Sequence, residues 1–414
     1  MRSHGWLELL FVLCLSISSF ASAESPLELP EGETRIGAVG GWPSFVNLND
    51  GTMLAVRGDQ WYRSPDGGRT WQGPEERLVD PEQRSGVTSI IRLASGKLGV
   101  ILLRVAGIPN VGHDEANFRS MWLGFATSDD DGKTWSKPVQ MNRYGTHGVP
   151  HIATLIQTST GRLILPVRTF FGPSSKVHAK AGAFGIVDGK RQRVAGHTTY
   201  GEIDVTFCYL SDDEGQTWRK SDGFIFGWEG EKGLGLVPCD EPVAIELKDG
   251  AIMLLARTTI GQLYKVLSRD GGENWDMPQA SGLASAYAPC MIRRIPTTGD
   301  LLLIWNQASR NEIERGYERS RLSVAISQDE GETWIHAKTI FRSHLPAVGL
   351  LDPGPVTGWV GVKPFVGEIP LDFASADYPN IAFNGDDVLF HYDRNPKFGP
   401  KAGAYWTLRI FPIA

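Results

Sequence analysis

Cysteine is scarce in this chain of 414 residues: there are four, at Cys14, Cys208, Cys239 and Cys290. The last three permit one disulfide and one free thiol in an oxidising compartment; three buried, unpaired thiols are the plainer alternative. Long runs of like charge are also missing, and the net charge of −6 leaves no basic footprint. That argues against a nucleic-acid partner. Beyond the N-terminus no apolar run is long enough to span a bilayer. No phosphate-binding loop, dinucleotide fingerprint or nucleophile elbow is present, and no cofactor is expected. His147 and His151 stand four apart, but Pro150 between them argues against one helical face, so ordinary polar contacts are expected there rather than a metal.

The first residues read as a processing signal. Arg2 and His4 precede an apolar stretch from Leu7 to Phe20, followed by small residues at Ala21 and Ala23. The pattern predicts cleavage after residue 23, a secreted or periplasmic mature protein from about Glu24, and no membrane anchor afterwards.

One pattern recurs five times. "RSPDGGRTW" ends at Trp71, and "TSDDDGKTW", "LSDDEGQTW", "LSRDGGENW" and "ISQDEGETW" end at Trp135, Trp218, Trp275 and Trp334. The common form is S-x-D-x-G-x-T-W, with Asn274 in place of Thr in the fourth copy. Such a repeat takes precedence over every other reading. Upstream of each copy lies an apolar run, a turn with Gly, and a second apolar run, as in "PVAIELKDGAIMLLA". A sixth such hairpin, "NIAFNGDDVLFHY", leads instead to "YWTLRIFPI". Six units of about four strands predict an all-β, six-bladed propeller over residues 24–414. The repeated motif is then a turn between the third and fourth strands. Gly supplies positive φ there, and Ser, Asp and Thr bond to nearby backbone. These aspartates read as structural, not catalytic.

Strand direction separates two faces. The start of each first strand, the end of the second and the start of the third share the face opposite the repeated turns. First strands open with "WPS", "VPH", "EPV", "APC" and "YPN", which places Trp42, Val149, Glu241, Ala288 and Tyr378 at matching sites near the axis. Glu241 and Tyr378 are the chemically capable ones. Arg57, Arg168 and Arg257 end second strands, and Arg319 and Arg321 open a third. A glutamate, a tyrosine and several arginines thus converge on one face.

At these residues the chain resembles the sialidase (neuraminidase) superfamily of Asp-box propellers, over roughly Ile36 to Pro412. "CDEPVAIELKDGAIMLLAR" is similar to the segment in which a catalytic Glu is followed sixteen residues later by a substrate-binding Arg, which implies Glu241 and Arg257. "RSRLSVAIS" is similar to the segment of another triad arginine, Arg319, and "DYPNIAFNGDDVLFHY" to that of the catalytic Tyr, Tyr378. The resemblance implies an exo-acting hydrolase that removes sialic acid or a related acidic sugar from a glycan partner. One departure stands out. The first triad arginine is replaced at Gly41, in "GWP", and Arg57 or Arg35 would have to compensate. Asp59 is the acid candidate in the short turn after the second strand; His113, Asp114 and Glu115 are alternatives. Tyrosine suits a substrate with a carboxylate at its reacting carbon, because a neutral hydroxyl is not repelled, and arginine suits the carboxylate itself. Two other readings stay open: a carbohydrate-binding propeller without turnover, and a glycosidase or lyase on another polysaccharide. The long inserts Phe170–Tyr200 and Ser343–Asp377 are expected to wall the site.

Overall fold

The computed structural model describes residues 33–35, 42–82, 85–106, 120–142, 149–171, 183–187, 190–195, 203–229, 235–356, 365–396 and 405–413. Six antiparallel sheets form the blades of a propeller. Blade one contains Ser44–Asn47, Met53–Arg57, Gln60–Ser64 and Gln72–Glu76, and blade two Gly86–Arg92, Leu98–Ala106, Ser120–Ser128 and Val139–Gln140. Blade three has an interrupted first strand, Val149–Pro150 and Ile156–Gln157, before Leu163–Phe171, Ile203–Ser211 and Arg219–Lys220. Blade four contains Asp240–Glu246, Ile252–Arg257, Gln262–Ser268 and Gln279–Ala284; blade five Met291–Arg294, Leu301–Trp305, Arg321–Ser327 and Ile335–Arg342. Blade six contains Ala374–Asn384, Asp387–Pro396 and Tyr405–Pro412, and its outermost strand is Glu33–Arg35 from the other end of the chain. Pairing of Glu33 with Arg409 and of Arg35 with Thr407 closes the ring. The hairpin repeat did not reveal this closing strand, which is three residues long and carries no repeat signature.

Burial explains why second strands read as unbroken apolar runs. They lie between neighbouring blades and are covered on both faces: every residue of Leu301–Trp305 is buried, whereas every residue of the outer strand Gln72–Glu76 is exposed. The core therefore lies between blades. Leu54, Val56 and Trp61 of blade one pack with Ile90, Val100 and Trp122 of blade two, and Phe125 of blade two packs with Leu163 and Phe207 of blade three.

The repeated turn accounts for its own sequence. Ser64 Oγ accepts from the Gly68 N–H at 2.7 Å and donates to Asp66 Oδ1 at 2.9 Å. Asp66 accepts from the Thr70 N–H and hydroxyl at 2.8 and 2.7 Å, and Trp71 Nε1 donates to the Gly68 carbonyl at 2.9 Å. In the fourth copy the Asn274 amide takes the hydroxyl's place, donating to Asp270 Oδ2 at 2.9 Å. Two successive residues adopt positive φ, for example Glu214 at 54° and Gly215 at 88°, as a tight hairpin turn of this hand requires. The first of the pair also reaches the preceding blade. Asp131 accepts from Asn49 of blade one as well as from Arg92 of its own blade, Glu214 from the Ser95 N–H of blade two, and Glu330 from the Lys248 N–H of blade four as well as from Arg294 of its own blade. These turns are thus clamps between blades, on the face away from Glu241 and Tyr378.

Cys208, Cys239 and Cys290 are all free and buried, so no disulfide forms among them. Among the described residues no helix is long and apolar enough to cross a membrane. The predicted signal segment lies outside the described residues.

Candidate active site

Glu241 and Tyr378 occupy equivalent backbone positions in blades four and six. Each precedes a proline, and each lies in a bulge. Asp240 pairs with Arg257 and Val243 with Leu255, so Glu241 and Pro242 face a single partner residue; Asp377 pairs with Asp393 and Asn380 with His391, with the same result at Tyr378 and Pro379. Both residues hold positive φ, 44° and 50°. This conformation is costly for a residue with a Cβ, about 1–3 kcal/mol each, and such strain concentrates where a side chain must be aimed.

The aim brings the two side chains together. Tyr378 Oη donates to Glu241 Oε1 at 3.2 Å. Burial pushes the Tyr378 phenol up to about 12; the Glu241 carboxylate adds to this, and Arg257, Arg319 and Arg168 oppose it. The phenol is therefore protonated at neutral pH and requires a base to act as a nucleophile, and Glu241 is in place to be that base.

A second layer holds the first. Asp240, Tyr287 and Asp377 each stand one residue ahead of the pre-proline position in their blades. Asp240 is fully buried; it accepts from Arg168 Nη1 at 2.8 Å, from Arg257 Nε at 2.8 Å and from the Tyr287 hydroxyl at 2.9 Å, with Arg257 Nη2 a further donor. Burial alone would raise the Asp240 pKa, but Arg168 and Arg257 outweigh it and hold the group below the ordinary carboxylate range. Arg257 Nη1 also meets Glu241 Oε2 at 2.9 Å, and its guanidinium lies 4.4 Å from the centre of the Tyr287 ring. Arg319 pairs with Asp377 at 3.0 Å, donates to the Tyr287 carbonyl at 3.2 Å and lies 5.6 Å from the centre of the Tyr378 ring. Three arginines, Arg168, Arg257 and Arg319, thus face three carboxylates, Asp240, Glu241 and Asp377. Arg321 plays another part. It is fully buried and pairs with Glu312 at 2.6 Å, on a short helix, Arg310–Glu314, capped by Ser309.

Blade one contributes an aromatic face. The Trp42 ring stacks on Tyr378, with centroids 3.7 Å apart and planes at 31°, and the Arg57 guanidinium lies 5.9 Å from the Trp42 ring. From blade three, the His151 ring is 5.5 Å from Tyr378. Burial pulls His151 down to about 4; Glu241 opposes this, and the imidazole is neutral at pH 7. Among the described residues no cluster of metal-ligating side chains exists.

The structure therefore gathers Tyr378, Glu241, Arg257 and Arg319 and sets Arg57 one ring away. It does not bring Asp59 to them. Asp59 is exposed in the turn between Arg57 and Gln60, and among the described residues its side chain contacts none of the group. Arg35 belongs to the outermost strand of blade six, away from the axis, and nothing more is described of its side chain. Gly41, His113, Asp114 and Glu115 lie outside the described residues. Of the two inserts, Ser343–Asp377 crosses the site face. Gln307 Nε2 of blade five donates to the Gly349 carbonyl and Gln262 Nε2 of blade four to the Gly354 carbonyl, and Val356 packs on Ile260 and Tyr264. Sequence reasoning passed over Asp240, Asp377 and Tyr287. The signal was present in the parallel triplets "DEP", "YAP" and "DYP", which give each blade a matching residue ahead of its pre-proline position.

These features define a class: a propeller of Asp-box blades with a tyrosine–carboxylate pair held by arginines over its axis. The chain belongs to the BNR repeat-like domain family, whose model matches residues 62–391. It is 23% identical over 328 residues to a sialidase of Bacteroides fragilis (strain YCH46), a match covering 70% of this chain and 53% of that protein, so the chain spans about half the length of this relative. Two solved structures share its fold. A protein of unknown function from Dyadobacter fermentans DSM 18053 superposes with a TM-score of 0.56 at 17% identity, covering 93% of this chain and 100% of its own. The Hadza microbial sialidase Hz136 also gives 0.56, at 16% identity, over 92% of this chain and 66% of its own.

Proposed function

We propose that this protein is an exported, retaining glycoside hydrolase of the sialidase type, acting at the end of a glycan that carries sialic acid or a related acidic sugar. The hydrogen bond between Tyr378 Oη and Glu241 Oε1, 3.2 Å long and made by two strained, matching backbone positions, carries the reading. In the first step Tyr378 Oη bonds to the anomeric carbon, its proton passes to Glu241, and the bond to the leaving oxygen breaks as an acid protonates it. In the second step water attacks the same carbon and gives up a proton to the conjugate base of that acid, the phenolate leaves, and Tyr378 recovers its proton from Glu241. Two displacements retain the configuration. Arg319 and Arg257 are the donors for the sugar's acidic group, with Arg168 beside them. Asp59 belongs to this proposal as the acid only if a bound substrate brings it inward.

Time-resolved proton NMR of the first sugar released from a sialyl reporter tests the mechanism. The expected product keeps the substrate's anomeric configuration, and folded Tyr378→Phe gives no turnover above background. An inverted product, or near-normal turnover in Tyr378→Phe, refutes it. Two observations favour a second reading, a glycan-binding propeller without turnover. The arginines of the site are already balanced by carboxylates, and Trp42 covers one face of the Tyr378 ring. Binding of sialylated glycans by calorimetry with no sugar released over days is the result that selects it.

A further inference from the structure

We propose that the axial channel of the propeller is an anion site, and that it holds a small monovalent anion of the halide class on the guanidinium of Arg293. The channel has a volume of about 290 Å³ and is walled by the first strands of blades one, two, three, five and six. It lies beyond the active-site pair along the axis, and the inference is independent of the function proposed above.

Arg293 projects from blade five across to blade three. Its Nη1 donates to the Ile292 carbonyl at 2.9 Å and its Nη2 to the Ala153 carbonyl. Both acceptors are neutral. A guanidinium has five N–H donors, so three are left over. No carboxylate among the described residues pairs with it. The other arginine of the channel, Arg92, is already neutralised, pairing with Asp131 at 2.8 Å and donating to the carbonyls of Asn47 and Gly96. The remaining polar side chains of the wall are committed to backbone. Ser44 Oγ accepts from the Ile90 N–H at 3.0 Å, Asn47 Nδ2 donates to the Phe383 carbonyl at 2.9 Å, and Asn380 Nδ2 donates to the Pro43 carbonyl at 2.9 Å. Val46, Ile90, Leu155 and Ile381 supply apolar surface.

Arg293 is half-buried, and an unneutralised cation facing the apolar part of this wall is costly. Burial draws Arg293 down to about 10, which leaves it charged at neutral pH. A single positive charge calls for a single negative one. A halide accepts from N–H groups in any direction and tolerates apolar walls on its other sides. A doubly charged phosphate would bring more charge than the one unneutralised guanidinium can balance, and a carboxylate would bring a carbon group as well as its charge. The bound ion would tie blade five to blade three beneath the strand that carries Tyr378, since Asn380 to Phe383 line the same channel.

Crystals soaked in sodium bromide test the site directly. The expected result is an anomalous peak within hydrogen-bond distance of the Arg293 Nη atoms in the wild type and none there in Arg293→Met. In solution, chloride titrated against gluconate at constant ionic strength should raise the wild-type melting temperature saturably, by about 2 °C, and leave Arg293→Met unmoved. Bromide peaks at surface positions only, or the same chloride response in Arg293→Met, overturns the proposal. Should Arg293→Met fail to fold, the wild-type bromide map decides alone.

Discussion

Replacing Asp240 by Asn keeps the shape of the side chain and removes its charge. In the wild type this carboxylate is completely buried and receives Arg168, Arg257 and the Tyr287 hydroxyl. Breaking a buried ion pair from one side typically costs about 3–5 kcal/mol, because the other charge is stranded. Two features place the expected loss near the lower end, about 3 kcal/mol. Arg257 keeps Glu241 at 2.9 Å, and Arg168, at 17% side-chain exposure, can turn to water. Against this, the Asn amide nitrogen would face donors only. Equilibrium urea unfolding followed by tryptophan fluorescence measures the loss as a lower midpoint at unchanged slope. Asp377→Asn is the internal comparison. Its partner Arg319 keeps 13% side-chain exposure and a carbonyl contact, so its loss should be smaller, about 1–2 kcal/mol. A loss below about 1 kcal/mol in Asp240→Asn, or equal losses in the two variants, would refute the view that Asp240 anchors the site from below.

Glu241→Gln should fold and lose roughly 10²- to 10⁴-fold in turnover, the usual worth of a positioned proton-transfer group; retention of more than a tenth of wild-type activity contradicts its role as base. Gly215→Ala places a Cβ 2.1 Å from the Phe125 ring at a φ of 88°, and calorimetry should show about 3 kcal/mol of destabilisation, against a near-neutral Gly161→Ala control in packing terms, where only the φ of 89° is unfavourable. Acid should loosen the clamps. Thr70 holds Asp66 at about 2 and Thr333 holds Asp329 at about 2; at Asp270 burial pushes upward but the Asn274 bonds prevail, also giving about 2. These folded-state values are depressed, so their stabilisation is complete above the ordinary aspartate range and is lost as pH falls through the folded values. Melting temperature should therefore decline between about pH 4 and pH 2; a flat profile there would contradict the bonding assigned to these turns.

How much of this was written in the one-dimensional sequence follows from the range over which each interaction acts. The repeated turn is local: Ser64, Asp66, Gly68, Thr70 and Trp71 bond within eight residues, so their order alone announced the turn, while the six apolar hairpins gave the number of blades. The second strands, covered on both sides by neighbouring blades, were legible as apolar runs for the same reason that they are buried. Glu241 and Tyr378 could be matched because each precedes a proline at the same point of its repeat. Other features depend on residues tens to hundreds of positions apart. Glu33–Arg35 has no repeat partner in sequence and becomes a strand only where the C-terminal strand offers an unpaired edge. The stacking of Trp42 on Tyr378 is set by closure of the ring, and the pairing of Arg319 with Asp377 and the bond from Asn49 to Asp131 are set by the packing of one blade on the next. Asp59 shows the converse, for it lies in the turn that the sequence offered, yet its side chain is exposed and, among the described residues, makes no hydrogen bond or ion pair with the group. Repeating local hydrogen bonds and burial determined the propeller; only the tertiary packing of the blades decided which charges meet over its axis, because charges on different blades acquire a distance only when the blades are packed around it.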